Sequence, residues 1–330
     1  MEEAVLRVKN LKTYFYVDDG VIPGVDDVSF DLKKGETLAI VGESGCGKSV
    51  TALSILRIIQ APPGRIINGE ILFNGKDLLK LSNHAMRNVR GNDISMIFQE
   101  PMTSLNPVFT VGYQICQPLK FHQHLKKDAA RVQAIEMIKL VGISSPERVV
   151  DQYPHQLSGG MRQRIMIAMA LACRPHVLIA DEPTTALDVT IQAQILRLIM
   201  DMKEELNTSV IFITHDLGVV AETSDNVMVM YAGQAVEYAT CDQIFRKPLH
   251  PYTMGLLESI PKLHEDVKRL YMIRGMVPHA SEFSKGCRFA DRCDNCMQRC
   301  IDDAPELYDV GDGRHVRCFI FEKGEKSKMA

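Results

Sequence analysis

The chain has 330 residues, of which 46% are apolar and 24% are charged, and its formal net charge is −3. This composition excludes a largely disordered chain, and the lack of a long basic run argues against a nucleic-acid-binding protein. The apolar runs are too short to span a bilayer, and we see no N-terminal signal segment. We therefore expect a cytosolic protein that reaches a membrane only through partners.

Two runs near the N-terminus alternate apolar and polar residues, over 5–11 and 24–32. They predict strands of an antiparallel sheet at the edge of the fold. Tyr14 and Phe15 lie at the end of the first run. The spacing does not decide whether these rings stack on a base or belong to the core.

Residues 41–49 read V-G-E-S-G-C-G-K-S and fit the phosphate-binding loop pattern G-x-x-x-x-G-K-[ST]. A buried strand is predicted before the loop at 37–41, and a helix after it at 49–59. Glycines let several N–H groups face one anion, and the N-terminus of the helix adds positive potential. Lys48 then reaches the β- and γ-phosphates, while the Ser49 hydroxyl is a ligand for Mg²⁺. The loop predicts binding of a nucleoside triphosphate.

The middle of the chain changes from strand patterns to helical spacing and back. Strands are predicted near 70–73 and at 93–99. Helical spacing then fills a block from 101 to 174, with helices at 114–121, 129–141 and 158–172. Strands return at 177–181, 209–214 and 226–230. This order predicts a parallel sheet with crossover connections and an inserted helical block.

Polar residues end three of these strands, namely Gln99, the pair Asp181-Glu182, and His215. Ligand sites of open α/β sheets lie at the carboxyl ends of the strands. Asp181 is suited to hold Mg²⁺, and Glu182 to polarise the attacking water. His215 is suited to bind the γ-phosphate, and Gln99 to contact Mg²⁺ or the water.

The cysteines are unevenly distributed. Four are scattered and are interpreted as buried, unreactive residues: Cys46, Cys116, Cys173 and Cys241. Five crowd the last fifth of the chain: Cys287, Cys293, Cys296, Cys300 and Cys318. In a reducing cytosol this crowding favours a metal site over disulfides. Four thiolates suit either an iron–sulfur cluster or tetrahedral zinc, and the spacing does not choose between them.

These motifs together resemble an ATP-binding cassette (ABC) ATPase over roughly residues 1–240. The resemblance is carried by the phosphate loop, Gln99, L-S-G-G-M-R-Q at 157–163, V-L-I-A-D-E-P at 177–183, A-L-D at 186–188, and His215. It implies an α/β P-loop NTPase fold with an antiparallel β edge subdomain and a helical subdomain inserted at about 101–174. A small cysteine-rich C-terminal extension would cover 241–330.

The resemblance also assigns the site residues. ATP would be bound by Tyr14, Phe15, Gly42, Ser44, Gly45, Gly47, Lys48, Ser49 and Val50. Mg²⁺ would be held by Ser49, Gln99 and Asp181, and catalysis would rest on Glu182, His215 and Gln99. In this family the Ser-Gly-Gly loop of one subunit closes over the ATP of the other, which assigns Ser158, Gly159, Gly160 and Gln163 to a partner's ATP. Asp188 would belong to the D-loop. Met161 stands where the commonest signature has glutamine, and Gln163 follows on the same helix.

Three further segments resemble the D-type ATPase subunit of oligopeptide and dipeptide importers. They are E-P-M-T-S-L-N-P at 100–107, the stretch 180–194, and L-H-P-Y-T-M-G-L-L at 249–257. The likeness implies a heterodimer with a second ABC ATPase, two transmembrane permease subunits and an extracytoplasmic peptide-binding protein, with no nucleic acid. The subunit would sit peripherally on the cytoplasmic face of the membrane, and residues 100–113 would receive the coupling helices of the permeases.

The same likeness implies a [4Fe–4S] cluster on Cys287, Cys293, Cys300 and Cys318, with zinc as the alternative and Cys296 as an extra cysteine. Two other functions remain open from the sequence. One is an importer of nickel or another small substrate, and the other is a soluble ABC ATPase acting on nucleic acid. The sequence does not identify the substrate, because specificity lies in the partners, and import rather than export rests on the resemblance.

Overall fold

The fold is described from a computed structural model that covers residues 4–18, 20–99, 104–185, 188–261 and 271–322. Its strands are β1 Ala4–Val17, β2 Gly20–Lys33, β3 Thr37–Val41, β4 Gly64–Phe73, β5 Lys76–Asp77, β6 Ile94–Ile97, β7 Val177–Asp181, β8 Ser209–Ile213, β9 Asn226–Tyr231, β10 Gln234–Thr240, β11 Tyr308–Gly311 and β12 Arg314–Val316.

The α-helices of the same residues are α1 Lys48–Ile55, α2 Asn83–Val89, α3 Val111–His122, α4 Lys127–Leu140, α5 Pro146–Val149, α6 Gly159–Leu171, α7 Val189–Leu206, α8 Leu217–Thr223, α9 Cys241–Arg246, α10 Pro251–Glu258 and α11 Gln298–Asp302. Across these described residues, none of the helices has the length and apolar character needed to cross a bilayer.

The chain divides into two compact units. The first contains the described parts of 1–6, 31–36 and 72–213, and the second those of 7–30, 37–71 and 214–330. Both units therefore draw on several stretches of the sequence. The boundary predicted near residue 240 separates an ATPase domain from a C-terminal extension along the sequence. It does not correspond to these two units, and it stays a prediction.

The first unit contains three neighbouring parallel strands, β6, β7 and β8. All three are buried along their whole length, as expected for apolar strands of a parallel sheet with both faces covered. The register pairs Ile97 with Ala180 and Asp181 with Ile213, so the carboxyl ends of the strands lie level. The polar residues that follow β6 and β7 are thus brought to one edge.

Between β6 and β7, the described residues 104–176 contain α3, α4, α5 and α6 and no strand. The three helices predicted in this block correspond to α3, α4 and α6. Their apolar residues Ile115, Ile138 and Ile165 are fully buried. Two of these helices begin at hydroxyl caps, because the side chains of Thr110 and Ser158 accept hydrogen bonds from N–H groups in the first turn.

In the second unit, β3 pairs with β9 in parallel, and β9, β10, β12 and β11 continue the sheet as antiparallel neighbours. β1 and β2 are hydrogen-bonded neighbours joined by two residues, a connection that antiparallel strands permit and parallel strands do not. The core of this unit joins Val41, Val229 and Tyr231 of the sheet to Tyr252 of α10 and Phe289 of the cysteine-rich segment.

The helix after the phosphate loop ends at Ile55, so its predicted extension to residue 59 is wrong. Arg57 has a left-handed φ of 52°. Its N–H bonds the Ser54 carbonyl, and the N–H of Ile58 bonds the Leu53 carbonyl, both at 3.0 Å. These two bonds form a Schellman motif, which closes the last turn and sends the chain away from the helix axis.

The C-terminal segment contains β11 and β12, which the sequence pattern did not predict. They have four and three residues, too few for a visible alternation of apolar and polar positions. β12 is held by its neighbour, since Val316 pairs with Glu237 of β10. Pairing with a strand some 80 positions earlier in the chain, and not local propensity, makes this segment a strand.

Candidate nucleotide site

The phosphate loop has the backbone that only glycine adopts without strain. Gly42, Gly45 and Gly47 have φ values of 150°, 79° and 101°. A Cβ at Gly42 would lie 2.1 Å from the Met230 carbonyl oxygen, and one at Gly47 would lie 2.3 Å from the Gly24 carbonyl oxygen. Two of the motif's glycines are thus required both by their dihedral angles and by backbone that approaches closely.

The Lys48 side chain lies at the centre of this loop. It is buried, and its Nζ donates to the carbonyl oxygens of Gly42 at 2.8 Å and Glu43 at 3.0 Å. Ser44 and Gly45 are exposed at the outer turn of the loop, whereas Ser49 and Val50 are half-buried in the first turn of α1. The ammonium group and the N-terminus of α1 are therefore concentrated where a phosphate chain would bind.

Tyr14 and Phe15 are both half-buried, and their surroundings differ. The Tyr14 hydroxyl donates to Asp26 at 2.9 Å, and burial together with this carboxylate raises the pKa of Tyr14 to about 12. The Phe15 ring lies against Gly24, where an added Cβ would be 2.7 Å from it. Their predicted contact with the base of ATP stays a prediction.

In the first unit, Glu182 follows the buried Asp181, the last residue of β7. Its backbone has a left-handed φ of 44°, a rare conformation for glutamate, and its N–H donates to the Ile213 carbonyl at 2.9 Å. Its Oε2 accepts hydrogen bonds from Gln99 Nε2 at 3.1 Å and from Thr185 Oγ1 at 3.0 Å. The structure thus brings Gln99 and Glu182 together and adds Thr185, which the sequence reading missed.

His215 belongs to the second unit and lines a cavity of about 360 Å³. Gly42 and Glu43 of the phosphate loop line the same cavity, as do Tyr271 and Arg292 of the C-terminal segment. The predicted γ-phosphate ligand is therefore placed beside the loop, next to residues that the motif reading did not include.

The Ser-Gly-Gly element stands at an exposed helix start in the first unit. Ser158 and Gly159 are exposed, and the Ser158 hydroxyl accepts a hydrogen bond from the Met161 N–H at 3.3 Å. Asp188 likewise caps α7 and accepts from the Ile191 N–H at 3.0 Å. The other two residues of the A-L-D element, 186 and 187, lie outside the described residues, as do residues 100–103 of the predicted docking segment.

Gln163, unlike Ser158 and Gly159, is buried within the first unit. Its side chain is only 1% exposed, and its amide donates to the Pro183 carbonyl within the first unit. The reason is helical geometry, because Gln163 lies five residues after Ser158 and faces the interior while Ser158 faces solvent. The predicted contact of Gln163 with a partner's nucleotide stays a prediction.

Four cysteines line one small cavity of about 10 Å³, and they are the four that the resemblance assigned: Cys287, Cys293, Cys300 and Cys318. The fifth, Cys296, is exposed and does not line the cavity. Burial raises the pKa of Cys287 to about 11 and that of Cys318 to about 12. Nevertheless, within the described ranges no group of three or more His, Cys, Asp or Glu side chains has an arrangement that could hold a metal ion.

The cysteine-rich segment also contacts the phosphate loop directly. Arg292 forms two hydrogen bonds with the Glu43 carboxylate, at 2.6 and 3.0 Å, and the Glu43 N–H donates to the Tyr252 hydroxyl at 2.9 Å. The sequence reading missed both residues. A possible signal was the single acidic residue inside the loop motif, which needs a partner when it is partly buried.

Comparison with protein families decides the class of this chain. Residues 25–185 match the family described as ABC transporter, and residues 236–300 match the oligopeptide/dipeptide transporter C-terminal region. The chain belongs to the ABC transporter family. The predictions of an ABC ATPase and of its α/β P-loop fold are confirmed.

Relatives of this ABC ATPase match along nearly its whole length. Oligopeptide transport ATP-binding protein AppD of Bacillus subtilis (strain 168) is 53% identical, over 97% of this chain and 97% of the relative. Dipeptide transport ATP-binding protein DppD of the same strain is 52% identical, over 96% and 95%. Dipeptide transport ATP-binding protein DppD of Escherichia coli (strain K12) is 47% identical, over 96% of both chains.

A solved structure extends the comparison. An ATP-binding cassette in a dimeric post-hydrolysis state, bound to ADP and Pi, is 27% identical with a TM-score of 0.64. The match covers 72% of this ABC ATPase and 98% of that chain. About a quarter of the present chain therefore lies outside the compared cassette.

Proposed function

We propose that this chain hydrolyses ATP to ADP and phosphate and thereby energises the import of oligopeptides or dipeptides. One observation carries the proposal: a complete phosphate loop is followed in the same chain by the C-terminal region of oligopeptide/dipeptide transporters. Relatives named for oligopeptide and dipeptide transport support it. The chemistry is phosphoryl transfer to water, in which positioning and charge stabilisation dominate.

The proposed division of labour follows from the chemistry of each group. Lys48 and the loop N–H groups neutralise and orient the triphosphate, and Ser49 and Asp181 hold Mg²⁺. Glu182 takes a proton from the attacking water, supported by the hydrogen bonds from Gln99 and Thr185. These roles fit a glutamate held in a left-handed backbone, since strained conformations cluster at functional sites.

We further propose that two such ATPases work head to tail, the second being a homologous but different chain. Ser158 and Gly159 support this, because they stand exposed at the start of the thirteen-residue helix α6. An added Cβ at Gly159 would meet no atom within 4 Å. An open helix N-terminus with free space around it is suited to approach the phosphates of a nucleotide bound by another subunit.

The permease subunits are proposed to dock on a groove of about 560 Å³ in the first unit. Its lining includes Phe98, Phe109, Tyr113 and Met169. The rings of Phe109 and Tyr113 stack with centroids 4.6 Å apart, and the neighbouring Val108 is 70% exposed. Exposed aromatic residues beside a groove suit a short amphipathic helix of a partner. Such docking would hold the chain at the cytoplasmic face of a membrane.

We also propose a metal site on Cys287, Cys293, Cys300 and Cys318. Four thiols around one cavity form a donor set for a [4Fe–4S] cluster or for zinc, and a bound cation would stabilise the thiolates that burial alone disfavours. Because no three side chains of the described residues are arranged to hold a metal ion, either zinc or a cluster would require these thiols to change position. Bound metal would fasten this segment to the fold.

The test is affinity purification of the tagged chain from gently solubilised membranes, followed by mass spectrometry. Recovery of two multi-span proteins, a second ABC ATPase and a peptide-binding protein is expected. A binding protein for nickel or another small substrate would change the proposed cargo and keep the mechanism. Recovery of only soluble or nucleic-acid partners would overturn the transport function and leave the ATPase.

A further inference from the structure

An arginine adjoins each of the four cysteines that line the small cavity, and these arginines differ in what they bind. Arg299, next to Cys300, pairs with Glu322 of the same tail. The other three reach acidic residues of the nucleotide-binding part: Arg288 pairs with Asp26, Arg317 with Asp27, and Arg292 with Glu43. Only Glu43 of these partners lies inside the phosphate loop. Arg292 therefore stands out as a direct link to that loop.

The pair of Arg292 and Glu43 is built as a fixed contact. The arginine side chain is 5% exposed and grips both carboxylate oxygens of Glu43. Its Nε donates to the Arg274 carbonyl at 2.8 Å, and its guanidinium carbon lies 5.6 Å from the centre of the Tyr231 ring. The hydrogen bond from Arg292 to Glu43 is the main cause that raises the pKa of the guanidinium. A bidentate pair with a buried guanidinium and a partly buried carboxylate fixes orientation as well as charge.

Glu43 in turn contacts a residue that would bind phosphate. Its carbonyl accepts a hydrogen bond from Lys48 Nζ at 3.0 Å, and its N–H is fixed by the Tyr252 hydroxyl. It lines one cavity together with His215 and Arg292. A carboxylate at this place, left unpaired, would repel a triphosphate and compete for Lys48.

We propose that Arg292 is a positioning residue for the phosphate loop. It neutralises the Glu43 carboxylate and holds it aside, so that Lys48 and the loop N–H groups can bind the triphosphate. This inference rests on the proposed binding of ATP at the loop. It adds that the cysteine-rich segment is part of the nucleotide site's support.

The test is titration of the full-length chain with a fluorescent N-methylanthraniloyl ATP and Mg²⁺. Arg292→Met is expected to raise the Kd on the order of tenfold, because it leaves the Glu43 carboxylate unpaired beside the nucleotide. Glu43→Gln should change the Kd by less than about threefold, and the double variant should resemble Glu43→Gln. Raising the salt concentration should reduce the ratio of the Kd of Arg292→Met to that of the wild type, since screening weakens the repulsion between the Glu43 carboxylate and the triphosphate.

Arg299→Met is the matched control, since it also removes an arginine next to a lining cysteine but leaves the loop untouched. Equal Kd values for Arg292→Met, Arg299→Met and the wild type would overturn the inference. So would a double variant as weak as Arg292→Met alone, because the effect would then not pass through Glu43. If Arg292→Met does not fold, Arg292→Lys is the second variant, because it keeps the charge but loses the bidentate contact. Its Kd should lie between the wild-type value and a value about tenfold higher. A wild type that binds no nucleotide would overturn the proposed function itself.

Discussion

The two compact units hold their proposed functional groups in different ways. In the second unit, backbone carbonyls press against Gly42 and Gly47, and the buried Lys48 is gripped by the carbonyls of its own loop. In the first unit, Glu182 is half-exposed, and its carboxylate accepts hydrogen bonds from the neutral side chains of Gln99 and Thr185. Such an arrangement suits a group that must change partners when water and nucleotide bind, whereas a phosphate cradle benefits from rigidity.

The largest expected effect concerns the half-exposed glutamate of the first unit. Glu182→Gln should lower the ATP turnover number about 1000-fold, because the amide cannot take a proton from water, while ATP binding is retained. A coupled assay of phosphate release and a nucleotide titration measure the two properties, and the variant should also accumulate as a closed dimer. Thr185→Val, which removes one supporting hydrogen bond, should cost only about tenfold. Normal turnover in Glu182→Gln would remove this residue from the role of base.

The next effect tests the rigidity of the phosphate loop. Gly47→Ala should weaken ATP binding by more than about 100-fold and lower stability by about 3 kcal/mol, since the new Cβ meets the Gly24 carbonyl. Gly45→Ala is the control, because φ is also positive there but an added Cβ meets nothing within 4 Å. It should cost only about 1 kcal/mol of backbone strain. Equal losses in the two variants, by nucleotide titration and thermal melting, would show that close approach of the backbone is unimportant.

The third effect concerns the cysteine-rich segment of the second unit. Cys287→Ser should reduce bound metal per chain by about tenfold or more and lower the melting temperature, because one of four ligands is lost. Cys296→Ser should keep both values, since this cysteine is exposed and lies outside the cavity. Metal analysis and the absorption spectrum of anaerobically purified protein measure the result and separate iron–sulfur from zinc. If Cys296→Ser lost metal and Cys287→Ser kept it, Cys296 and not Cys287 would be the metal ligand.

The smallest effect tests an ion pair of the same segment. Asp26 is partly buried, which opposes its ionisation, but Arg288, Lys12 and Tyr14 outweigh this and lower its pKa. Asp26→Asn should therefore cost about 2 kcal/mol at neutral pH, because Arg288 is left buried without its partner. A lowered folded-state pKa stabilises the fold above the ordinary carboxyl pKa of about 4, and this is lost as pH falls through the folded value.

The difference in unfolding free energy between Asp26→Asn and the wild type should hence shrink below about pH 4, as measured by urea unfolding. The control Asp242→Asn removes an exposed pair with Arg246 and should cost less than about 0.5 kcal/mol. A difference that grows on acidification would contradict the role assigned to Asp26.

Local patterns in the sequence predicted much of the fold. The buried strand predicted at 177–181 is β7, and the strands predicted at 209–214 and 226–230 differ from β8 and β9 by one residue at one end. An uninterrupted apolar run predicts a buried strand from its own residues, and a loop motif with fixed spacing likewise predicts its own backbone. The end of α1 depended on the left-handed conformation of Arg57, which helical spacing does not reveal. Spacing alone therefore overestimated the length of this helix.

By itself the sequence determined the chemistry: a glycine-rich loop with Lys48, strand-terminal carboxylates, a Ser-Gly-Gly helix start and a set of spaced cysteines. Each of these works through residues adjacent in the chain or through a fixed local geometry. Only the tertiary structure decided that Gln163 is buried, that Cys296 lies apart from the other four cysteines, and that Arg292 grips Glu43 across 249 positions. Side-chain burial and long-range ion pairs depend on which surfaces meet, and periodicity in one segment carries no information about its distant neighbour.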